Sequence, residues 1–223
     1  MLLEARDLVA VMPGDTGEVR VLDGVCFSLA AGEITDIVGP SGSGKTTLLR
    51  ALARLLPGVS GELLLDGVPA DRVLASTWRS QVALLPQKPA IVAGDVRANL
   101  LLPWTLKVRH GHTPPDTEHL DDALLGVALA DIALDRDAAR LSVGQQARVA
   151  LLRVLLTRPR VLLLDEPDAA LDDASSEAVA TLTRLFAEGG GAVARVRHHR
   201  ADGLAGCRMC LQAGHLDVEV EAS

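Results

Sequence analysis

The chain has 223 residues, which is enough for one domain with a full hydrophobic core. Its formal net charge is −7 and it contains no tyrosine, a composition that argues against a dedicated nucleic-acid-binding protein. The longest apolar runs are too short to cross a bilayer. Because no basic segment leads into a long apolar run at the start, and three cysteines do not suggest a disulfide framework, we expect a cytoplasmic protein.

The first 30 residues alternate apolar and polar positions around glycine-containing turns at residues 13–15 and 23–24. This pattern is typical of antiparallel strands. Farther along, Glu33–Val38 predicts a short apolar strand and Thr46–Leu52 predicts a helix.

The segment between that strand and that helix fits the phosphate-binding loop pattern G-x-x-x-x-G-K-[ST]. Its glycines allow the backbone to curve closely and direct its N–H groups inward, and the helix N-terminus adds positive potential. We therefore expect the loop to bind a nucleoside triphosphate, with Lys45 contacting the β- and γ-phosphates and the Thr46 hydroxyl coordinating Mg²⁺. The predicted nucleotide-binding residues are Gly39, Pro40, Ser41, Gly42, Ser43, Gly44, Lys45, Thr46 and Thr47.

A second motif is an apolar run, Val161–Leu164, that ends in Asp165 and Glu166. Such a run is typical of a buried parallel strand that carries acids at its C-terminal end. We expect Asp165 to complete the Mg²⁺ coordination and Glu166 to polarise the attacking water. Two adjacent acids can also simply begin a loop, but the phosphate loop favours the catalytic interpretation.

A third motif, residues 141–146 (Leu-Ser-Val-Gly-Gln-Gln), opens a helix and resembles the L-S-G-G-Q signature of ATP-binding cassette (ABC) ATPases. Other landmarks of that family follow the same order. Gln87 matches the glutamine loop, residues 170–172 match the loop after the acidic strand, and His198 matches the switch histidine. The chain therefore resembles an ABC ATPase subunit over most of its length.

This resemblance implies a dimer, most simply of identical chains, in which two nucleotides are held head to tail. Each ATP would contact the phosphate loop of one chain and the signature of the other. A membrane permease on a separate chain would be the partner, so the ATPase would be peripheral to the membrane on its inner face. The implied roles are catalysis by Glu166, His198 and Gln87, Mg²⁺ binding by Thr46, Gln87 and Asp165, an interface contact by Asp172, and nucleotide contact across the dimer by Ser142, Val143, Gly144 and Gln145.

The expected fold is an α/β P-loop core of ABC type with an N-terminal antiparallel β subdomain and an inserted helical subdomain. We expect residues 1–86 and 142–223 to form the core and residues 87–141 to form the helical subdomain. Helical patterns are predicted over Asp95–Leu102, Asp116–Val127, Leu129–Ile132, Gln145–Leu156 and Ser175–Glu188, and strands over Val161–Leu164 and Ala192–Val196. Their alternation after residue 142 predicts a parallel sheet with helices on both faces.

Two features depart from the family pattern. Val143 replaces the first signature glycine, which costs about 1–2 kcal/mol if the backbone there needs a positive φ and little if it does not. We favour the mild effect. The stretch Val9–Met12 lacks the aromatic residue that usually stacks on adenine, a loss of about 1 kcal/mol in nucleotide affinity.

The stretch Asn99–Trp104 resembles the Fet-type iron-export ATPase subunits of bacteria and their plant aluminium-tolerance relatives, so we expect metal export. An importer or a lipoprotein-releasing system would carry the same ATPase motifs. A soluble ABC ATPase is a further alternative, although such proteins usually carry two cassettes or a long coiled coil. A weakly hydrolytic ATP-gated clamp is another, against which the intact Lys45, Glu166 and His198 argue.

Overall fold

The computed structural model describes residues 1–14, 17–169, 171–197 and 202–218. Within these ranges the strands are β1 Leu3–Gly14, β2 Gly17–Leu29, β3 Ile34–Val38, β4 Val59–Leu65, β5 Val68–Pro69, β6 Val82–Leu85, β7 Val161–Asp165, β8 Ala192–Val196, β9 Cys207–Gln212 and β10 His215–Val218. The α-helices are α1 Lys45–Leu52, α2 Ala75–Gln81, α3 Val96–Leu101, α4 Thr117–Gly126, α5 Val143–Leu155 and α6 Asp173–Glu188. Short 3-10 turns lie at Ala70–Arg72, Leu102–Thr105, Lys107–Arg109 and Ala138–Arg140.

The strands form two sheets. A small antiparallel sheet has the order β2-β1-β4-β5, and a larger one has the order β10-β9-β3-β8-β7-β6. In the larger sheet all neighbours are parallel except β9 and β10. The expected mixed α/β fold with antiparallel N-terminal strands is thus confirmed, and β3, β8 and β7 end at one edge of the sheet.

Both faces of the parallel sheet are covered. Val161 and Leu163 of β7 belong to the cluster that contains α1 and the small sheet, whereas Leu162 and Leu164 pack with α5 and α6. All four side chains are fully buried. Alternate residues of a strand point to opposite faces, so a continuous apolar run is what two covered faces require.

A separate apolar cluster lies between residues 96–141 and α5. Its members from residues 96–141 are Val96, Leu100, Leu120, Leu124, Val127, Leu129, Ile132, Leu134, Ala138 and Leu141, and Val149 and Leu152 of α5 complete it. The buried Arg148 guanidinium donates hydrogen bonds to the carbonyls of Val127, Ala128 and Gly144 at 2.9, 3.1 and 3.2 Å. Because two of these carbonyls follow α4, the contact fixes the end of α4 against α5.

The predicted helices that became α3, α4, α5 and α6 are confirmed to within about two residues. The predicted helix over Leu129–Ile132 is wrong, because this segment consists of turns. Leu129 and Ile132 are nevertheless buried, so the three-residue spacing of these apolar side chains reflects burial within turns and not a helical period. The turn expected at residues 23–24 is also wrong, since these residues lie inside β2, where the pairing with β1 shifts register between Leu8 and Ala10. The turn at 13–15 extends beyond the described residues.

In the described part of the chain no helix combines the length and apolar character needed to span a bilayer.

Replacing Leu162 or Leu163 by Ala should each lower the free energy of unfolding by about 2–5 kcal/mol, because each side chain fills a different covered face. Leu185→Ala is the control, since Leu185 is exposed on α6 and its loss should change stability by less than about 0.5 kcal/mol. Urea titration followed by circular dichroism measures all three. A small effect at either position of β7 would contradict a sheet covered on both faces.

Candidate functional site

The phosphate-loop sequence lies between the end of β3 and the start of α1, as expected. Gly39 and Gly44 have φ of 145° and 100°, in the region that favours glycine. A Cβ on Gly39 would lie 2.2 Å from the Leu211 carbonyl oxygen, and one on Gly44 would lie 2.7 Å from Cγ1 of Val21. Strands β9 and β2 therefore pack directly against the loop, and only glycine fits these two positions.

Lys45 is buried at the first position of α1. Its Nζ donates hydrogen bonds to the carbonyls of Gly39 and Pro40, both at 2.8 Å, which holds the ammonium group against the loop. Gly44 precedes the helix and provides no side-chain cap, so the first N–H groups of α1 are left for an anion. The Ser43 hydroxyl oxygen is buried without a hydrogen-bond partner among the described residues. This combination of donors fits a phosphate group.

The sheet brings Thr46 and Asp165 together although they lie 119 positions apart in the sequence. Thr46 Oγ1 donates to Asp165 Oδ2 at 2.9 Å, while Oδ1 of Asp165 is buried with no hydrogen-bond partner among the described residues. Burial raises the pKa of the Asp165 carboxyl, the Thr46 hydrogen bond opposes that rise, and the charge of Glu166 adds to it. A hydroxyl and an unsatisfied carboxylate oxygen are hard ligands, so this pair fits Mg²⁺.

Glu166 follows β7 in a strained turn. Its φ is 51°, a left-handed conformation that costs a residue other than glycine on the order of 1–2 kcal/mol. Its N–H donates to the carbonyl of Val196 at 3.1 Å, which attaches the turn to β8. Gln87, in the exposed loop after β6, donates from Nε2 to Glu166 Oε2 at 2.6 Å. The structure thus joins two of the expected catalytic residues directly.

The signature residues begin α5. Ser142 is the N-cap: its Oγ accepts a hydrogen bond from the N–H of Gln145 at 3.3 Å, and Gln145 Oε1 accepts one from the N–H of Ser142 at 2.9 Å. This is a capping box. Val143 is the first helical residue and 70% exposed, so its backbone needs no left-handed conformation. The mild effect expected of valine at this position is what the backbone supports.

Asp172 caps α6 beside the signature. Its Oδ1 accepts a hydrogen bond from the N–H of Ser175 at 2.7 Å, and the hydrogen bonding with Ser175 lowers the pKa of the carboxyl. A Cβ on Gly144 would lie 3.3 Å from the Ser175 hydroxyl oxygen, so the starts of α5 and α6 are in close contact. Among the hydrogen bonds between described residues, none joins the signature to the phosphate loop. His198 lies outside the described residues.

The sequence analysis missed a polar contact between α5 and the segment that follows Gln87. We refer to residues 87–99 as the glutamine-loop region. Asn99 is fully buried, and its Oδ1 accepts hydrogen bonds from the Val92 N–H at 2.9 Å and from Arg153 Nη2 at 2.7 Å. Arg153 also donates to the carbonyls of Ala90 and Asn99 at 2.8 Å each. The signal available in the sequence was an asparagine among apolar helical positions, because a buried amide needs partners.

The sequence analysis also missed Asp36 and Arg195, which stand inside apolar strands and pair with each other. A charge within such a run is itself a signal, since buried charges are almost always paired.

Three comparisons place the chain among known proteins. A family model described as "ABC transporter" matches residues 22–169. The "Probable iron export ATP-binding protein FetA" of Escherichia coli (strain K12) is 39% identical over 163 residues, which are 73% of this chain and 71% of that protein. The "Hemin import ATP-binding protein HmuV" of Nocardia farcinica (strain IFM 10152) is 42% identical over 205 residues, 88% of this chain and 68% of that protein.

Among solved structures, the one titled "Dimeric Structure of MJ0796, a Bacterial ABC Transporter Cassette" has a TM-score of 0.83 and 24% sequence identity, and the similarity covers 99% of both chains. This likeness supports the fold.

Val143→Gly should change the ATPase rate by less than about threefold and should not raise stability, because a helical first residue gains nothing from glycine. Gly144→Val should lower the rate more, since the new side chain meets Ser175 and Leu171 at the start of α6. Phosphate release and thermal unfolding measure both variants. A strong rise in the ATPase rate of Val143→Gly would contradict an unstrained backbone at Val143.

Proposed function

This chain belongs to the ABC transporter family as an ATP-binding subunit with ATPase activity, and we propose that it drives a membrane permease through ATP-dependent closure of a homodimer. The observation that carries the proposal is the direct contact between Gln87 and Glu166, 2.6 Å between amide nitrogen and carboxylate oxygen. It connects Glu166, the carboxylate that follows Asp165 at the end of β7, to a loop that leads into the helical region. We assign residues 1–86 and 142–223 to the nucleotide-binding core with its β subdomain, and 87–141 to the helical subdomain.

The nucleotide is held by the phosphate loop. The glycine backbone and the N–H groups at the start of α1 surround its phosphates, and Lys45 pairs with the terminal ones. Thr46, Asp165 and Gln87 would hold Mg²⁺ through their side-chain oxygens. The ion, when bound, neutralises phosphate charge and orients the terminal group for attack.

Glu166 acts as the general base. Its carboxylate accepts a proton from the attacking water, and the Gln87 amide orients it by hydrogen bonding to one oxygen. His198, from its match to the family motif, contacts the γ-phosphate. Since Gln87 sits on an exposed loop, movement of the helical subdomain would change the orientation of the base, which couples hydrolysis to the permease.

The signature supplies the other half of each site. Ser142, Val143, Gly144 and Gln145 of one chain contact the nucleotide bound by its partner, and Asp172 borders the interface. The start of α5 carries the positive end of a 13-residue helix, which favours a phosphate group. Loss of the terminal phosphate removes the charge that holds the two chains together, so hydrolysis opens the dimer.

We place the permease contact in a groove between α2, β6, α5 and the 3-10 turns after α3. The groove has a volume of about 530 Å³ and is mostly apolar. Leu106 and Leu55 contribute exposed side chains to it, Leu106 at 54% exposure. Arg153, which binds the glutamine-loop region, also borders the groove, so a permease helix seated here would act directly on that region. The protein would therefore be peripheral on the cytoplasmic face of the membrane.

For the cargo we propose export of iron or a similar metal. The likeness to FetA supports this choice. The stretch Asn99–Trp104, which resembles iron-export ATPase subunits, also supports it. Import of haemin is the second candidate, because HmuV is similar over a longer part of the chain.

Glu166→Gln should lower the rate of ATP hydrolysis by at least about 100-fold while ATP binding is retained, because the amide cannot accept the proton. Phosphate release measures the rate, and a fluorescent ATP analogue measures binding. Glu188→Gln, at an exposed surface pair, is the matched control and should behave like wild type. Full hydrolysis by Glu166→Gln would contradict its role as base, and an inactive wild type would favour the ATP-gated clamp.

With Glu166→Gln as bait and ATP present, affinity purification from native membranes should recover a permease, identified by mass spectrometry. Adding Leu106→Asp should reduce the recovery at least about tenfold, because a charge placed in an apolar interface is costly to desolvate. Val68→Asp, at 47% exposure on β5, lies outside the groove and is the control.

The composition of the recovered complex separates the candidates. A permease without an extracytoplasmic binding protein would support export and lead to metal-efflux assays. A binding protein in the same complex would contradict export and favour haemin import. Recovery of no membrane protein would contradict the transport role.

A further inference from the structure

Five charged side chains lie together at the edge of the sheet where β3, β7 and β8 end. We refer to Asp36, Asp168, Arg195, Arg197 and Asp202 as the arginine–aspartate cluster. None of the five has a role in the proposed chemistry. Asp168 lies in the turn that carries Glu166 and Arg197 contacts it, so the geometry of the cluster bears on how that turn is held.

The centre of the cluster is a buried ion pair between neighbouring strands. Asp36 of β3 and Arg195 of β8 are direct partners in the parallel pairing. Nε and Nη2 of Arg195 donate to the two carboxylate oxygens of Asp36 at 2.7 and 3.1 Å. The Asp36 side chain is only 7% exposed and the Arg195 side chain only 3%. This two-point contact fixes the plane of the guanidinium group.

Asp202 extends the cluster beyond β8. It accepts hydrogen bonds from Nη1 and Nη2 of Arg195 at 2.8 and 3.0 Å, and its Oδ2 lies 2.6 Å from Nη1 of Arg197. Burial alone would lower the pKa of Arg195, but the hydrogen bonds with Asp202 and Asp36 outweigh it and raise the pKa. Burial likewise acts to raise the pKa of Asp202, and the contact with Arg195 overcomes it and lowers the pKa. Both groups are therefore charged near neutral pH.

Arg197 joins this charged centre to the turn after β7. Its Nη2 donates to Asp168 Oδ2 at 2.5 Å, and Asp168 lies two positions after Glu166. The N–H of Glu166 donates to the carbonyl of Val196, the residue before Arg197. The turn that carries Glu166 is thus attached to the end of β8 twice, once through the backbone and once through a side chain.

Stability alone is a weak explanation for such a cluster. Moving charges out of water is costly, and well-packed apolar side chains often stabilise a core as well as a buried ion pair does. What charged pairs add is a fixed direction and distance. The turn needs such a constraint, because Glu166 adopts a left-handed backbone conformation that persists only where the surroundings hold it.

We propose that Arg197 is a positioning residue for hydrolysis. Through Asp168 and Asp202 it fixes the Glu166 turn against the end of β8 and so directs the carboxylate toward the attacking water. The inference rests on the proposed role of Glu166 as base. Arg197 touches carboxylates of the protein and not the reacting atoms, so its effect is on the geometry of the base.

Arg197→Gln and Asp168→Asn should each lower kcat about tenfold and leave KM for ATP within about twofold, because misplacement of a base affects chemistry and not ground-state binding. The double variant should lose no more than Arg197→Gln alone, since Arg197→Gln already removes the contact with Asp168. Arg197→Lys should be intermediate, because an ammonium group cannot bridge both carboxylates in the same way. Arg184→Gln, at an exposed surface pair, is the matched control.

Hydrogen–deuterium exchange gives a readout that does not depend on activity. The Glu166 amide donates to Val196 of β8 and the Ala169 amide donates to Glu166. Arg197→Gln should speed exchange of both amides at least about tenfold relative to Arg184→Gln. A lower melting temperature with unchanged kcat and unchanged exchange would mean a purely structural role and would overturn the proposal. If Glu166→Gln retains hydrolysis, the assignment of the base fails. The exchange rates then still decide whether Arg197 holds the turn.

Discussion

Strand β8 lies between β3 and β7, and the hydrogen bonds at its end position the segments that follow those two strands. Past the regular pairing, the N–H of Arg197 donates to the carbonyl of Ile37 at 3.3 Å, and the N–H of Glu166 donates to the carbonyl of Val196 at 3.1 Å. The phosphate loop and the acidic turn therefore leave the same edge of the sheet, with one strand between them. Thr46 and Asp165 meet because of this arrangement.

Helix α5 connects two parts of the molecule, because its residues belong to two apolar clusters. One of its faces completes the apolar cluster of the helical region and the other covers the parallel sheet. Along its length Ser142 caps the start, Arg148 holds the end of α4, and Arg153 binds the glutamine-loop region. A displacement of residues 90–128 would thus act on α5, the helix that begins at the signature, through the hydrogen bonds of Arg148 and Arg153.

Local motifs determined much of what could be predicted. The loop glycines, the apolar strand before Asp165 and the helix after Ser142 each have a period or a spacing that requires one structure, and these elements are confirmed. The helix prediction for Leu129–Ile132 was wrong because two buried apolar residues in turns have the same spacing as one helical turn. Arg197 and Asp168 lie 29 positions apart, and nothing in either local sequence specifies the partner. Pairing of that kind follows from strand order, which the sequence pattern left open.

The capping box at the start of α5 has a consequence for the kind of ligand this helix end prefers. Both side chains of the box act as acceptors: the Ser142 hydroxyl oxygen receives the N–H of Gln145, and the Gln145 carbonyl oxygen receives the N–H of Ser142. The hydroxyl hydrogen of Ser142 and the amide hydrogens of Gln145 take no part in these bonds. Each oxygen of the cap therefore already accepts one hydrogen bond, and the hydrogens of both side chains remain available to donate. Together with the positive end of the helix, these donors favour an anion over a cation at the start of α5, and the capping box keeps this helix end ordered without a ligand.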